Sequence, residues 1–264
     1  MLGAIAGDII GSIYEYRSIK TTEFDLFGLG CEFTDDSVLT IAVADALMGE
    51  GNFADTFRTY VRRYPNAGYG GMFQQWAADS RAGPYNSYGN GSAMRVSAAA
   101  WIAKSEDEAV QLAAATAAVT HNHPEGIKGA QATALAAWLA RQGADRKKIA
   151  AAVSEAFGYD LSLSVDEIRK TYGYDITCQG SVPPAIRCAL EANSFEEAVR
   201  LAVSLGGDAD TQACIAGSIA EARFGIPKRM AKKAMTHLDD DLRAVVRRFR
   251  RRYVNTGIRR FFDV

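Results

Sequence analysis

Cysteine is scarce in this chain and scattered. Cys31, Cys178, Cys188 and Cys214 form no C-x-x-C pair, which excludes a zinc framework and a disulfide scaffold and fits a reducing, cytoplasmic compartment. No uninterrupted apolar run approaches the ~20 residues needed to span a bilayer, so no membrane association is expected. The opening "MLGAIAGDIIGSIYEY" is apolar, but it carries Asp8 and Glu15 and has no basic start, which makes it a poor signal peptide. Neither sign of charge dominates: 30 Lys and Arg against 31 Asp and Glu give a formal net charge of −1. That removes any overall electrostatic basis for nucleic-acid binding. A G-x-S-x-G elbow, a P-loop and a dinucleotide G-x-G-x-x-G are all missing. So are the alternating β-branched runs that would announce a sheet.

What is present reads as helix. The 264 residues are 48% hydrophobic and 23% charged, enough to build a substantial core and unlike a disordered chain. Residues 2 to 17 set Leu2, Ile5, Ile9 and Ile13 on one face, and residues 36 to 48 repeat the spacing with Val38, Ile41, Ala42 and Leu47. Ser105 with Glu108, Ser164 with Glu167 and Ser194 with Glu197 are capping-box signatures. Alanine-rich runs such as "GAQATALAAWLA" have high helix propensity and permit close helix packing. The least helical stretch is 64 to 91, and it ends in the Gly-, Asn- and Ser-rich "GPYNSYGNGSAMR". Near the C-terminus "RAVVRRFRRRYVNTGIRR" is basic, but Val245, Val246 and Phe249 suggest a packed helix with a solvated basic face. The expectation is an all-α protein, compact and single-domain over residues 1–264.

Carboxylates gather at two places. "FTDDSVLT" sets Asp35 and Asp36 at a helix start, where helix capping is the ordinary explanation. "SLGGDADTQACIAGSIAEARFG" then repeats the inventory with Asp208, Asp210 and Thr211, after a Gly-Gly pair able to turn both carboxylates one way. On the first helix Asp8 and Glu15 are seven residues apart and share a face. Arginine partners, plain capping and a hard cation are the three ways to satisfy so many acids. All-oxygen donors suit Mg²⁺, Mn²⁺ or Ca²⁺, and two acidic corners that meet would suit a two-metal site. "VTHNHPEG" holds His121 and His123, either as a C-terminal helix cap or as a ring that contacts ligand. His237 lies beside the run Asp239 to Asp241, which reads as N-terminal capping of the next helix. "GNGSAM" has backbone N–H groups able to cradle a pyrophosphate.

Five segments in chain order, "GAIAGDIIGSIYE", "FTDDSVLT", "SYGNGSAMRV", "THNHPEGIKGA" and "GGDADTQACIAGSIAEARFG", resemble the ADP-ribosylglycohydrolase family of the dinitrogenase-reductase-activating type. The resemblance runs from residue 3 to about 227. It implies an all-α, orthogonal helical bundle with two Mg²⁺ or Mn²⁺ ions on the floor of a cleft. It implies metal ligation by Thr34, Asp35 and Asp36 from one side and by Asp208, Asp210 and Thr211 from the other. Glu15 matches a glutamate above the metals on a movable loop, where it contacts them or the substrate. Ser87, Tyr88, Asn90 and Gly91 match a diphosphate-holding loop, and His121 a histidine that reaches the same phosphates. His123 falls where family members vary. Ala209 and Gln212 depart from common family residues, between and after the ligands, where they bear on specificity.

The implied reaction is hydrolysis at C1 of the distal ribose in an ADP-ribosylated protein or small ADP-ribosyl substrate, through an oxocarbenium-like transition state. Asp36 would orient the water as general base, and Glu15 would position the ribose or assist the leaving group. Nucleic acid enters only as a modified substrate. "GSIYE" and "SYGNG" look closer to the serine-directed side of the family. The alternatives are a non-catalytic ADP-ribose-binding or structural member of the same fold, and a regulatory protein that binds partners through its basic C-terminus.

Overall fold

The computed structural model describes residues 1–49 and 51–254. The first helices are α1 (Leu2–Gly11), α2 (Asp35–Met48), α3 (Phe53–Arg63), α4 (Gly71–Ala78), α5 (Gly91–Met94), α6 (Ser97–Ile102) and α7 (Glu106–Ala118). There follow α8 (Pro124–Arg141), α9 (Arg146–Phe157), α10 (Val165–Thr171), α11 (Cys178–Glu191), α12 (Phe195–Val203), α13 (Ala209–Phe224), α14 (Lys228–His237) and α15 (Asp240–Phe249). Among the described residues the only β pairing is an isolated antiparallel bridge between Gly89 and Thr177, so the protein is all-α. No described helix is long and apolar enough to cross a membrane.

The centre of the molecule is α13, buried continuously from Ala209 to Glu221 and ringed by α1, α8, α11 and α12. Every residue of α1 is buried as well, Asp8 included, so α1 is enclosed on all sides rather than on one apolar face. Its glycines explain how. A Cβ on Gly7 would stand 2.0 Å from the carbonyl oxygen of Ala213, and one on Gly3 2.4 Å from that of Gly217. The four-residue spacing of Gly3, Gly7 and Gly11 therefore lays bare backbone against α13. Glu221 locks the same pair of helices, accepting from Gly3 N at 2.7 Å and from Arg250 Nη1 at 2.7 Å.

The chain departs from the expected helix over 2–17. Gly11 abuts the α13 start, where a Cβ would lie 2.5 Å from Ala209 O, and Ser12–Tyr14 tighten into a 3₁₀ turn. Asp8 and Glu15 consequently do not share a helix face: Asp8 is turned to the start of α2 and Glu15 to the start of α13. The stretch 64–91 also holds more order than expected, since α4 sits inside it on Phe73, Trp76 and Ala77.

The caps follow the sequence in part. Ser164 and Glu167 make the full reciprocal box, whereas Glu108 and Glu197 reach back one residue further, to Lys104 N and Asn193 N. Asp239 caps α15 by accepting from Leu242 N at 2.9 Å, as expected. On α15 Val246 and Phe249 are buried and Arg247 and Arg248 stand exposed on the opposite face, with Arg243 paired to Asp240 and Arg248 to Asp45. Beyond residue 254 the basic C-terminus lies outside the described residues.

Candidate active site

Both acidic segments open a helix, and the two helix starts meet. Before α13, Gly206 and Gly207 take φ of 72° and 78°, left-handed values that favour glycine. A Cβ on Gly207 would also stand 2.6 Å from Gly173 O. The turn presents Asp208 at the N-cap position, yet its side chain caps nothing; it accepts from Asn90 Nδ2 at 2.6 Å. Asp210 Oδ1 accepts from Thr211 N at 2.9 Å. Glu15 arrives from the 3₁₀ turn, and one carboxylate oxygen from each of Glu15, Asp208 and Asp210 lies within 4.8 Å of the other two.

At the start of α2 Thr34 is the N-cap, its Oγ1 accepting from Asp36 N at 3.2 Å and donating to Asp8 Oδ1 at 2.7 Å. Capping therefore falls to Thr34 and, from another helix, to Asp8, which also accepts from Thr34 N and Ser37 N at 3.0 Å each. Asp35 and Asp36 are spared that duty. Asp36 Oδ2 accepts from Thr211 Oγ1 at 3.4 Å, which joins the two helix starts, and Asp36 Oδ1 is buried with no hydrogen-bond partner. A buried carboxylate oxygen without a donor is costly unless something else meets it.

Electrostatics give the same message. Burial, then the neighbouring carboxylates Asp8 and Asp208, push Asp35 up to about 8. Asp36 and Asp210 lie well above the usual carboxylate range for the same two reasons, and Glu15 and Asp208 are raised chiefly by burial. Five carboxylates, Glu15, Asp35, Asp36, Asp208 and Asp210, line one cavity of about 370 Å³. Carboxylate and hydroxyl donors, one of them orphaned, fit a hard divalent cation. The tight trio puts Glu15 with Asp208 and Asp210, while Asp35 and Asp36 stand outside it on the α2 side.

The glycine-rich loop walls the same cavity. Ser87, Asn90, Gly91 and His121 line it; Tyr88 does not, being half exposed with its ring 5.2 Å from that of His123. The Asn90 amide is bonded to Ser181 Oγ at 3.0 Å as well as to Asp208, so it ties the loop to the acidic floor. The loop is clamped from behind by Asn90 N to Ile176 O and Cys178 N to Tyr88 O. His121 lies under it: a Cβ on Gly91 would be 3.3 Å from its Nε2. Burial and the Arg95 guanidinium hold the imidazole neutral, and Nδ1 faces Thr120 Oγ1 at 2.8 Å. The C-terminal-cap alternative fails for His123, which instead caps α8 by accepting from Glu125 N, whereas His121 N donates to the Ala117 carbonyl in the last turn of α7 at 2.7 Å while its ring lines the cavity.

Several lining residues carried no sequence signal. Tyr174 donates to Glu15 Oε1 at 3.4 Å, and Tyr16, Met72, Tyr174 and Ile176 are large apolar side chains exposed around the cavity. Arg95 is wholly buried, donates to Thr120 Oγ1 at 2.8 Å and to Thr116 O at 2.9 Å, and leaves Nε and Nη1 unbonded. Such residues are gathered by long-range packing, and Arg95 is the one charged residue among them.

The ADP-ribosylglycohydrolase family profile matches residues 1–258. The chain belongs to that family. ADP-ribosylhydrolase ARH3 of Danio rerio is 27% identical over 86% of this chain and 82% of its own. The human ARH3 is 26% identical over 86% and 84%. ADP-ribosylarginine hydrolase Tri1 of Pseudomonas putida (strain GB-1) is 28% identical over 86% of this chain and 70% of its own. Among solved structures, an ADP-ribosylglycohydrolase-related protein complex superposes with a TM-score of 0.71 at 26% identity, over 95% of both chains. Family membership makes this chain a hydrolase of ADP-ribose linkages.

Proposed function

We propose that the protein cleaves the glycosidic bond at C1 of the distal ribose in an ADP-ribosylated protein or small ADP-ribosyl substrate, releases ADP-ribose, and requires two Mg²⁺ or Mn²⁺ ions. The observation that carries the proposal is the meeting of two acidic helix starts on one cavity floor, with Asp36 Oδ1 left without a donor. Thr34, Asp35 and Asp36 would hold metal from α2, and Asp208, Asp210 and Thr211 from α13, with Glu15 added to the α13 side. When bound, divalent ions supply positive charge that offsets the five carboxylates and polarises ribose oxygens.

The chain's own groups do the rest. Asp36 is held in place by the Thr211 hydroxyl, so its carboxylate is set to orient a water and take its proton as the water oxygen bonds to C1. Glu15, steadied by the Tyr174 hydroxyl, positions the ribose and assists departure of the acceptor. Arg95 donates to Thr120 Oγ1, whose own proton goes to His121 Nδ1; the Nε2 beneath Gly89 and Gly91 is then the donor to diphosphate. Ser87 and the loop N–H groups complete that cradle, and the apolar rim of Tyr16, Met72, Tyr174 and Ile176 suits a purine.

The test is ADP-ribose release by the parent chain, Asp36→Asn and Asp210→Asn with Mg²⁺, alongside calorimetric metal titration. Loss of turnover in both variants, with metal binding weakened most by Asp210→Asn, is expected. Full turnover by either variant would contradict the assignment.

A further inference from the structure

Glu15 stands where like charges repel it. One of its carboxylate oxygens lies within 4.8 Å of oxygens from both Asp208 and Asp210. Among the described residues no lysine or arginine pairs with it to oppose that repulsion. Its hydrogen-bond donors are Tyr174, at 3.4 Å, and Tyr16, and both of those side chains are exposed. Nor does a helix fix it, because it follows the 3₁₀ turn and begins the irregular stretch that runs to α2. Something further along that stretch has to hold the carboxylate over the floor.

Bonds from residues 18 to 24 do so. Ser18 Oγ accepts from Gly207 N at 3.0 Å. Lys20 Nζ donates to Leu205 O and, at 2.6 Å, to Tyr172 O. Its stem crosses the glycine turn, where a Cβ on Gly206 would stand 3.3 Å from Lys20 Cε. The two carbonyls lead straight to the neighbours of Glu15: Leu205 to Asp208, and Tyr172 to Tyr174. One ammonium thus ties together the segment that carries Glu15, the turn that aims Asp208 and the loop that brings the Tyr174 hydroxyl. The far end of the segment is anchored separately. Arg200 Nη1 donates to Thr22 O at 3.0 Å and to Phe24 O at 2.7 Å, and the Phe24 ring packs edge-on against Tyr14 with centroids 5.0 Å apart. Loss of the ammonium therefore loosens the part nearest Glu15 while the base of the segment stays in place.

We propose that Lys20 is a positioning residue that holds Glu15 over the acidic floor, in place of the movable loop that the family resemblance implies. The inference deepens the hydrolase function proposed above and rests on it. Lys20 is not part of the cavity wall, so it acts only through the backbone that it ties. A carboxylate that assists departure of the acceptor has to be in place when the bond breaks, and a shift of about 1 Å costs up to about 10²-fold in rate. The loop at residues 87–91 is held by bonds of its own, so its grip on the diphosphate does not depend on Lys20. The loss on removing the ammonium accordingly falls on kcat more than on KM.

The experiment joins hydrogen exchange of the metal-free protein to kinetics on arginine-linked and serine-linked ADP-ribosyl peptides with Mg²⁺. It uses the parent chain, Lys20→Met, Glu15→Gln and the double variant; Lys20→Met keeps an apolar stem and removes the ammonium. Amides of residues 15–21 are expected to exchange about tenfold faster in Lys20→Met, with those of α13 and the melting temperature unchanged. On whichever peptide the parent cleaves, Lys20→Met lowers kcat about tenfold and leaves KM within about twofold. In the Glu15→Gln background the same substitution has no further effect on kcat, since Lys20 acts through Glu15. Unaltered exchange or unaltered kcat in Lys20→Met, or a kcat loss as large without Glu15 as with it, overturns the inference and leaves the hydrolase function standing. A melting temperature that falls together with kcat overturns it too, because the role of Lys20 is then structural alone. Release from neither peptide by folded parent protein overturns the hydrolase function and, with it, the role assigned to Lys20.

Discussion

Asp8 and Asp36 are both buried at the start of α2, and their partners differ. Asp8 accepts from two backbone N–H groups and two hydroxyls, of Thr34 and Ser37. Asp8→Ala strands those donors and should cost about 3 kcal/mol of stability, measured by urea unfolding. Asp36 has one free oxygen and a carboxylate disfavoured by burial and by Asp8 and Asp35. Asp36→Asn should therefore leave the metal-free protein no less stable at pH 8, while turnover falls about 10²- to 10⁴-fold. A melting temperature that drops together with activity would contradict this. The Asp and Thr inventory of the two helix starts was legible because it repeats along the chain. Asp8's partners were not, since those bonds join residues 26 and 29 positions apart. Nor was the Asn90 link to Asp208, which spans 118 positions and ties the loop to the acidic floor.

Among the elements, α1 and α13 carry the site by their closeness. Gly7→Ala would drive a methyl into the Ala213 carbonyl, and the helices must part, at a cost of about 3 kcal/mol. Gly83→Ala, with nothing within 4 Å, should stay within about 0.5 kcal/mol of the parent. Equal stability of the two variants in thermal melts would show that the glycine stripe is not what lets α1 approach. Helix existence was readable from apolar spacing and caps, as at Ser164 and Asp239. The end of α1 was not, because apolar periodicity continues through Ile13 while contact of Gly11 with Ala209 sets where the helix stops. The order of α4 inside a glycine-rich stretch was likewise hidden, its apolar anchors being few and close together.

For the whole molecule, the buried acidic floor ties stability to pH. Folded Asp35 keeps its proton up to about pH 8, and folded Asp8 up to about pH 6, whereas each releases it near 3.8 when unperturbed. Stability linked to these groups is complete below about pH 4 and is lost as pH rises through 6 and 8. Glu221 has the opposite sign: its pKa is lowered, although burial alone would raise it, because the N-terminal ammonium and Arg250 outweigh that cost, so its share is lost in acid. The metal-free protein should thus melt at progressively lower temperature from pH 5 to pH 9, and saturating Mg²⁺ should cancel most of that slope. A metal-free melting temperature that rises over this range would contradict the electrostatic account. The most direct test of the central claim follows ADP-ribose release through one cycle: parent protein, the same protein stripped with EDTA and shown by circular dichroism to remain folded, then protein resupplied with Mg²⁺ or Mn²⁺. Activity that vanishes on stripping and returns with the divalent ion is the predicted result; undiminished release from folded, stripped protein would contradict it.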